Sequence, residues 1–125
     1  MNHKRSIARA MLVLAVIMTV GAVAQTPANA STSRCYVKWP STSCKTATMR
    51  ASSSHDIYYS MCAPRGGRTP ADWQVKDAAN GFIVGQGHIN PGTCVDGHIP
   101  GLYGSYWGWV FNTRDTAIAY ISNQQ

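Results

Sequence analysis

The chain has 125 residues and a formal net charge of +6, from eleven Lys and Arg residues and five acidic residues, all of them Asp. Three of the basic residues lie within the first nine positions, so the rest of the chain holds eight basic and five acidic residues, a charge of +3. Such a weak charge does not demand a nucleic acid or an anionic membrane as partner, and we expect neither.

Residues 1–30 have the three parts of a secretory signal. Basic residues precede an uncharged apolar stretch over residues 10–24, and small residues lead up to Ala30. The stretch of fifteen residues is shorter than the length of about 20 that a helix needs to cross a bilayer. We therefore predict export, cleavage after Ala30, and a mature extracellular protein of residues 31–125 that is not inserted in a membrane.

The mature part is predicted to be a single domain without a helix. Its apolar residues alternate in short runs, which Gly, Pro, Ser, Asn and Asp interrupt about every 8–12 residues. This pattern favours a small antiparallel β-sandwich, immunoglobulin-like or related, of about seven or eight strands. In chain order the predicted strands are 35–39, 44–51, 55–63, 73–77, 82–86, 93–99, 105–112 and 116–122.

Alternation within these strands assigns some side chains to the core. The inward set is Ala47, Met49, Ala51, Ile57, Tyr59, Met61, Trp73 and Val75. The Asn80-Gly81 pair between the fourth and fifth strands is a strong signal for a hairpin turn.

Four cysteines, Cys35, Cys44, Cys62 and Cys94, form an even set in a chain predicted to be exported. They contain no C-x-x-C spacing, so we predict two disulfides rather than a zinc site. The alternation places both Cys62 and Cys94 on polar faces, where neighbouring strands could join them. The favoured pairing is Cys35–Cys44 with Cys62–Cys94, although four cysteines allow two other pairings.

We predict no enzymatic activity and no cofactor. The mature part has three histidines, His55, His88 and His98, but no G-x-S-x-G motif and no Glu. Asp56 adjoins His55, yet neighbours on a strand point to opposite faces. The set of Asp96, His98 and His88 lacks a diagnostic metal-ligand spacing, and a surface role for these side chains is the favoured interpretation.

The sequence GLYGSYWGWVF near the C-terminus is the most informative stretch. On a strand, Trp107, Trp109 and Phe111 lie on one face, and Tyr106 and Val110 lie on the other. The favoured interpretation is a central strand that is buried on both faces. The alternative is an exposed aromatic row that binds a sugar ring or a protein groove.

Two further segments could contact a partner. The polar loop 64–72 carries two arginines and is either a binding loop or a simple connector. The N-terminal segment 31–43 is expected to be extended and tied down only by its cysteines; it could add to a partner's sheet or enter a cleft, or be a frayed terminus. The candidate partner-binding residues are Arg34, Tyr36, Val37, Trp39, Arg65, Arg68, Trp107 and Trp109.

The mature chain resembles the small B-type adaptor component (UmbB) of the umbrella toxin particles secreted by Streptomyces. The resemblance lies in a short signal, a two-disulfide β-domain with a cysteine-bearing N-terminal segment, and the stretch GLYGSYWGWVFN. It implies an adaptor that links a lectin subunit to a large toxin-bearing subunit, with residues 31–43 as the docking segment.

The expected function is therefore that of a secreted, non-enzymatic adaptor in an antibacterial toxin complex, with other secreted proteins as partners. Two alternatives remain open. One is an inhibitor of an exogenous protease or glycosidase that uses loop 64–72. The other is a bacteriocin that acts alone.

Overall fold

The computed structural model describes residues 30–124, so the predicted signal sequence lies outside these residues except for Ala30. Within them the chain forms nine strands and no helix, and hence no helix that could span a membrane. The strands are β1 (Thr32–Tyr36), β2 (Cys44–Lys45), β3 (Met49–Arg50), β4 (Ile57–Cys62), β5 (Ala71–Asp77), β6 (Ile83–Ile89), β7 (Cys94–Ile99), β8 (Ser105–Phe111) and β9 (Ile118–Ser122).

The strands pair in a nested order. β1 pairs with β9, β2 and β3 pair with β8, β4 pairs with β7, and β5 pairs with β6, all antiparallel. Further pairing of β4 with β9 and of β5 with β8 gives two sheets, in the orders β1-β9-β4-β7 and β2-β8-β5-β6, with β3 following β2 along β8. If β2 and β3 are counted as one interrupted strand, this is the eight-stranded jelly-roll connectivity.

The predicted antiparallel β-sandwich with two disulfides is thus confirmed. Its connectivity differs from the immunoglobulin type, in which one sheet holds the first, second, fifth and fourth strands. Here the first and last strands are neighbours, and most connections cross from one sheet to the other.

The core lies between the sheets and is built by alternate residues of each. Ile57, Met61 and Ile121 of one sheet and Val75 and Val110 of the other are fully buried. The predicted inward positions Met49, Ile57, Met61, Trp73 and Val75 are confirmed, whereas Tyr59 and Ala51 are half-buried.

Gly108 marks a point of close approach between the sheets. A Cβ atom at this position would lie 2.9 Å from Ile121 Cγ2 and 3.0 Å from Met61 Cε. Its neighbours on the same face of β8, Tyr106 and Val110, are also buried. The inward face of β8 is therefore Tyr106, Gly108 and Val110, and the tryptophan row points away from the core.

The predicted strand 44–51 is interrupted at residues 46–48. Thr46 turns inward, and its hydroxyl accepts a hydrogen bond from the Gly108 N–H at 2.9 Å. Ala47 is consequently exposed, so its assignment to the core was wrong. The cause is a local change of register: between Lys45↔Trp109 and Met49↔Tyr106 this strand has one residue more than β8, which exchanges its two faces.

The N-terminal segment is a structural strand, contrary to the expectation that only cysteines hold it. Residues 32–36 pair along β9 from Thr32↔Ser122 to Tyr36↔Ile118. Val37 follows directly and is 1% exposed, because it fills the core beside this edge.

Both disulfides follow the favoured pairing. Cys35–Cys44 joins β1 of one sheet to β2 of the other, and Cys62–Cys94 joins directly opposed residues of β4 and β7. The second bridge lies on the outward face of its sheet, where alternation placed both cysteines.

Candidate interaction surfaces

The outward face of the β2-β8-β5-β6 sheet is here called the Trp face. Its rows follow from the register: Trp107 opposes Lys76, Trp109 opposes both Lys45 and Gln74, and Phe111 opposes Asp72. The row continues onto β6, where Gln74 opposes Gln86 and Asp72 opposes His88. The Trp face comprises Lys45, Asp72, Gln74, Lys76, Gln86, His88, Trp107, Trp109 and Phe111.

The three aromatic rings of the Trp face pack against one another. Trp109 and Phe111 are stacked, with centroids 4.0 Å apart and an interplanar angle of 21°, and Trp107 meets Trp109 edge-on at 6.4 Å. The rings therefore cover part of each other's surface, and no second protein layer is needed to half-bury them.

Two lysines add to this cover. Lys45 Nζ lies 5.3 Å from the centre of the Trp107 ring, and Lys76 Nζ lies 5.6 and 5.5 Å from the centres of Trp107 and Trp109. These are cation–π distances. The favoured expectation that both faces of β8 are buried was wrong: the inner face is buried, whereas the outer face is only half-buried, by its own neighbours.

Asp72 anchors the Phe111 end of the Trp face. Its carboxylate accepts hydrogen bonds from Asn112 Nδ2 at 3.0 Å and lies 2.8 Å from His88 Nδ1. The hydrogen bond from Asn112, followed by that from His88, lowers the pKa of Asp72 below its ordinary value. The carboxylate is thus engaged by Asn112 and His88, and the two lysines of this face, Lys45 and Lys76, outnumber it.

The outward face of the β1-β9-β4-β7 sheet is here called the Tyr face. Arg34 lies 5.1 Å above the Tyr120 ring, and Tyr120 meets the edge of Tyr58 at 6.1 Å. The Tyr58 hydroxyl donates to Asp96 at 3.4 Å, and Arg34 Nη1 donates to the Tyr36 hydroxyl at 3.3 Å. The Tyr face comprises Arg34, Tyr36, Tyr58, Ser60, Asp96, His98, Ile118 and Tyr120.

The Tyr face contains an open depression of about 490 Å³ that loop residue Arg65 borders. The composition, tyrosines with arginines around a half-buried centre, is that of protein-interface hot spots. Tyr58 and Tyr120 were not among the predicted contact residues. Alternation with Cys62 along β4 was the signal that could have placed Tyr58 on this face, whereas Tyr120 is placed there by its pairing with Arg34 across β1 and β9.

The structure divides the eight predicted contact residues among four places. Arg34, Tyr36 and Arg65 meet at the Tyr face. Trp107 and Trp109 lie on the opposite sheet. Two residues, Trp39 (83% exposed) and Arg68, lie on exposed loops. The prediction was wrong for Val37, which is buried in the core.

The polar cluster nearest to a catalytic arrangement has the wrong order. Ser52 Oγ lies 2.5 Å from Asp56 Oδ1, and His98 Nδ1 lies 3.0 Å from Asp56 Oδ2. A nucleophile relay requires the histidine between the serine and the carboxylate, whereas here the carboxylate lies between the other two groups. Residues 30–124 also contain no group of three or more His, Cys, Asp or Glu side chains that could hold a metal ion.

Comparison with known proteins gives no significant match: no protein-family model fits the sequence, no curated protein is significantly similar to it, and no solved structure significantly resembles the fold. A jelly roll serves many unrelated functions, so the fold by itself assigns none. The features that bear on function are therefore the two faces and the loops that join the sheets.

Proposed function

We propose that the mature domain is a secreted, non-enzymatic adaptor that bridges two other exported proteins. The observation that carries the proposal is the presence of two aromatic, charge-bearing faces on opposite sides of one sandwich. A protein that binds a single partner needs one such face, whereas a protein that binds two partners at once needs two separate faces.

The two faces differ in chemistry, which favours two different partners. The Trp face presents Trp107 and Trp109 beneath the ammonium groups of Lys45 and Lys76. The Tyr face combines Arg34 and tyrosines with the acidic Asp96. Specificity arises when each partner is complementary to one face and mismatched with the other.

The two disulfides support an extracellular location. Two bridges without a free cysteine in residues 30–124 are consistent with an extracellular protein, because reducing cytosol does not maintain such bonds. Together with the signal-like N-terminus, they support secretion. Within this proposal the chain is the small subunit of an antibacterial toxin complex that joins a lectin-type subunit to a large toxin-bearing subunit.

The test is native purification of the tagged full-length chain from the culture supernatant of its own host. One variant, Lys45→Glu with Lys76→Glu, reverses the charge of the Trp face, and another, Arg34→Glu with Tyr36→Ala, disrupts the Tyr face. Arg114→Glu, in an exposed loop outside both faces, serves as the control.

We expect the wild type and the control to co-purify with two larger exported proteins, and each face variant to lose a different one. A wild-type protein that runs only as a monomer would contradict the adaptor proposal. Stoichiometric inhibition of a protease or glycosidase by that monomer would favour an inhibitor, with Arg65 and Arg68 in the reactive loop. Growth arrest by the pure monomer would favour a bacteriocin.

A further inference from the structure

A cleft of about 610 Å³ lies at one end of the sandwich, between the β3–β4 loop and the β7–β8 loop. Its volume falls within the range of about 300–1,000 Å³ that is typical of small-molecule sites. Its lining includes Arg50, Ser52, Ser53, His55, Tyr103 and Asn123. None of them belongs to the Trp face or the Tyr face.

The two loops that form the cleft are tied together. The Leu102 N–H donates to the His55 carbonyl at 2.8 Å, and the Ala51 N–H donates to the Gly104 carbonyl at 3.0 Å. The Tyr106 hydroxyl, whose residue is 4% exposed, accepts from both the Tyr103 and Gly104 N–H groups at 3.1 Å. The cleft is thus formed before any ligand arrives, which reduces the entropic cost of binding.

An aromatic platform lines the cleft. His55 and Tyr103 are stacked with ring centroids 4.2 Å apart and an interplanar angle of 27°. Tyr103 remains 75% exposed although one face of its ring lies on His55, so the opposite face is open. His55 has a φ of 63°, an uncommon conformation outside glycine that the surrounding loop contacts maintain.

The polar groups around the platform specify the ligand further. Among the residues that line the cleft, Arg50 is the only Lys, Arg or Asp. It makes no ion pair within the part of the chain that the structure describes. The Ser53 hydroxyl also lines the cleft. The other two polar side chains are engaged within the protein: the Ser52 hydroxyl donates to Asp56, and the Asn123 amide accepts from the Ser31 N–H and donates to the Arg50 carbonyl. A guanidinium is suited to a carboxylate, which it binds through two parallel hydrogen bonds.

We propose that this cleft binds a short acidic saccharide. The C–H face of a sugar ring packs on the open face of Tyr103, the sugar carboxylate pairs with Arg50, and the Ser53 hydroxyl hydrogen-bonds to a sugar hydroxyl. An apolar peptide would leave the Arg50 guanidinium unpaired, and a simple anion would leave the open face of the Tyr103 ring without a packing partner. The inference stands apart from the adaptor function, because neither partner-binding face takes part.

The test is a titration of the ¹⁵N-labelled mature protein with digalacturonate, followed by ¹H–¹⁵N correlation spectra. The neutral disaccharide galactobiose, which lacks the two carboxylates, is the matched ligand. The variants are Arg50→Gln and Tyr103→Ala, and Arg114→Gln removes a positive charge elsewhere as the control. Thermal unfolding of each variant checks that the fold is retained.

We expect digalacturonate to shift the amide signals of residues 50–55 and 102–104 and to bind more tightly than galactobiose. Loss of a charge-assisted hydrogen bond weakens binding about tenfold or more, which is the expected effect of Arg50→Gln on digalacturonate. Tyr103→Ala should weaken both disaccharides, and Arg114→Gln neither.

Three results would overturn the proposal. One is equal affinity for the charged and neutral disaccharides. Another is a set of shifted signals on the Trp face or the Tyr face instead of the cleft. The third is no shift with digalacturonate at millimolar concentration in a folded protein. The cleft lies outside the Trp face and the Tyr face. A failure of saccharide binding would therefore leave the adaptor proposal standing, and co-purification tests that proposal separately.

Discussion

Lys76 and Trp107 are directly opposed across β5 and β8, and the Lys76 ammonium nitrogen lies 5.6 Å from the centre of the Trp107 ring. The same nitrogen lies 5.5 Å from Trp109. The lysine therefore covers an apolar row that would otherwise face water, and its flexible stem can move aside for a partner. This explains how a solvent-facing strand can carry two tryptophans without a second layer over them.

The first prediction concerns this contact. Lys76→Ala and Trp107→Leu, alone and together, form a double-mutant cycle that isolates the interaction. We expect a coupling free energy of about 0.5–1 kcal/mol, because the pair is partly open to solvent. Urea unfolding provides the measurement. Lys38→Ala with Trp107→Leu is the control cycle, and an equal coupling there would show that the cation–π geometry is irrelevant.

The second prediction concerns the approach of the sheets at Gly108. Gly108→Ala places a Cβ 2.9 Å from Ile121 Cγ2 and should lower the free energy of unfolding by about 1–3 kcal/mol. Gly66→Ala is the matched control, because its Cβ would meet nothing within 4 Å, and we expect a change within about 0.5 kcal/mol. Equal stabilities of the two variants in urea would contradict this packing.

The third prediction compares the disulfides. Cys62–Cys94 spans 32 residues of sequence and Cys35–Cys44 spans 9. Loop-closure entropy gives about 3.7 kcal/mol for the longer loop and about 2.6 kcal/mol for the shorter one. Cys62→Ala with Cys94→Ala should therefore unfold at a lower denaturant concentration than Cys35→Ala with Cys44→Ala. The reverse order would show that the entropy of the unfolded chain does not dominate.

The fourth prediction concerns acid stability. The hydrogen bonds from Asn112 and His88 lower the pKa of Asp72 below its ordinary value of 3.8. The carboxylate therefore stabilises the fold above that pH, and the contribution is lost as the pH falls through the lowered pKa. The stability difference between wild type and Asp72→Asn should shrink as the pH falls below about 4.

Asn112→Ala provides the companion measurement for Asp72, because the Asn112 amide is the largest cause of the lowered pKa. We expect its acid dependence to lie between those of the wild type and Asp72→Asn. Stability curves for wild type and Asp72→Asn that stay parallel from pH 6 to pH 2 would contradict the assigned hydrogen bonds.

The fifth prediction concerns the N-terminal strand. Deletion of residues 31–37, with Cys44→Ala to avoid an unpaired thiol, removes β1 and the fully buried Val37. Compared with Cys35→Ala and Cys44→Ala in the intact chain, we expect a further loss of at least about 1.5–3 kcal/mol from Val37 alone. Equal unfolding midpoints for the two proteins would show that the strand is dispensable.

Local patterns predicted much of this fold. Alternation identified the inward face of β4 and placed Cys62 and Cys94 on polar faces, which led to their pairing. Alternation misplaced Ala47, because a two-residue pattern cannot indicate where the register of a strand is interrupted. It placed the first strand at 35–39 instead of 32–36, since the pairing of Thr32 with Ser122 joins residues that are distant in sequence.

The surface sites were harder to predict from the sequence than the core. The tryptophan row was recognised, but its exposure depended on Gly108, which fixes the inward face of β8. The cleft could not be foreseen, because it brings Arg50 and Tyr103 together with Ser31, which precedes β1, and Asn123, which follows β9. Such a convergence depends on strand order, which alternation does not encode.

The nested strand order has a consequence for the time at which the domain folds. The strand made first, β1, pairs only with the strand made last, β9. Until Ile118–Ser122 has been synthesised, the edge of one sheet has no neighbour and the core has no closing strand. Such long-range pairing is slow to form. The β1-β9-β4-β7 sheet can therefore be completed only after the last strand has been synthesised.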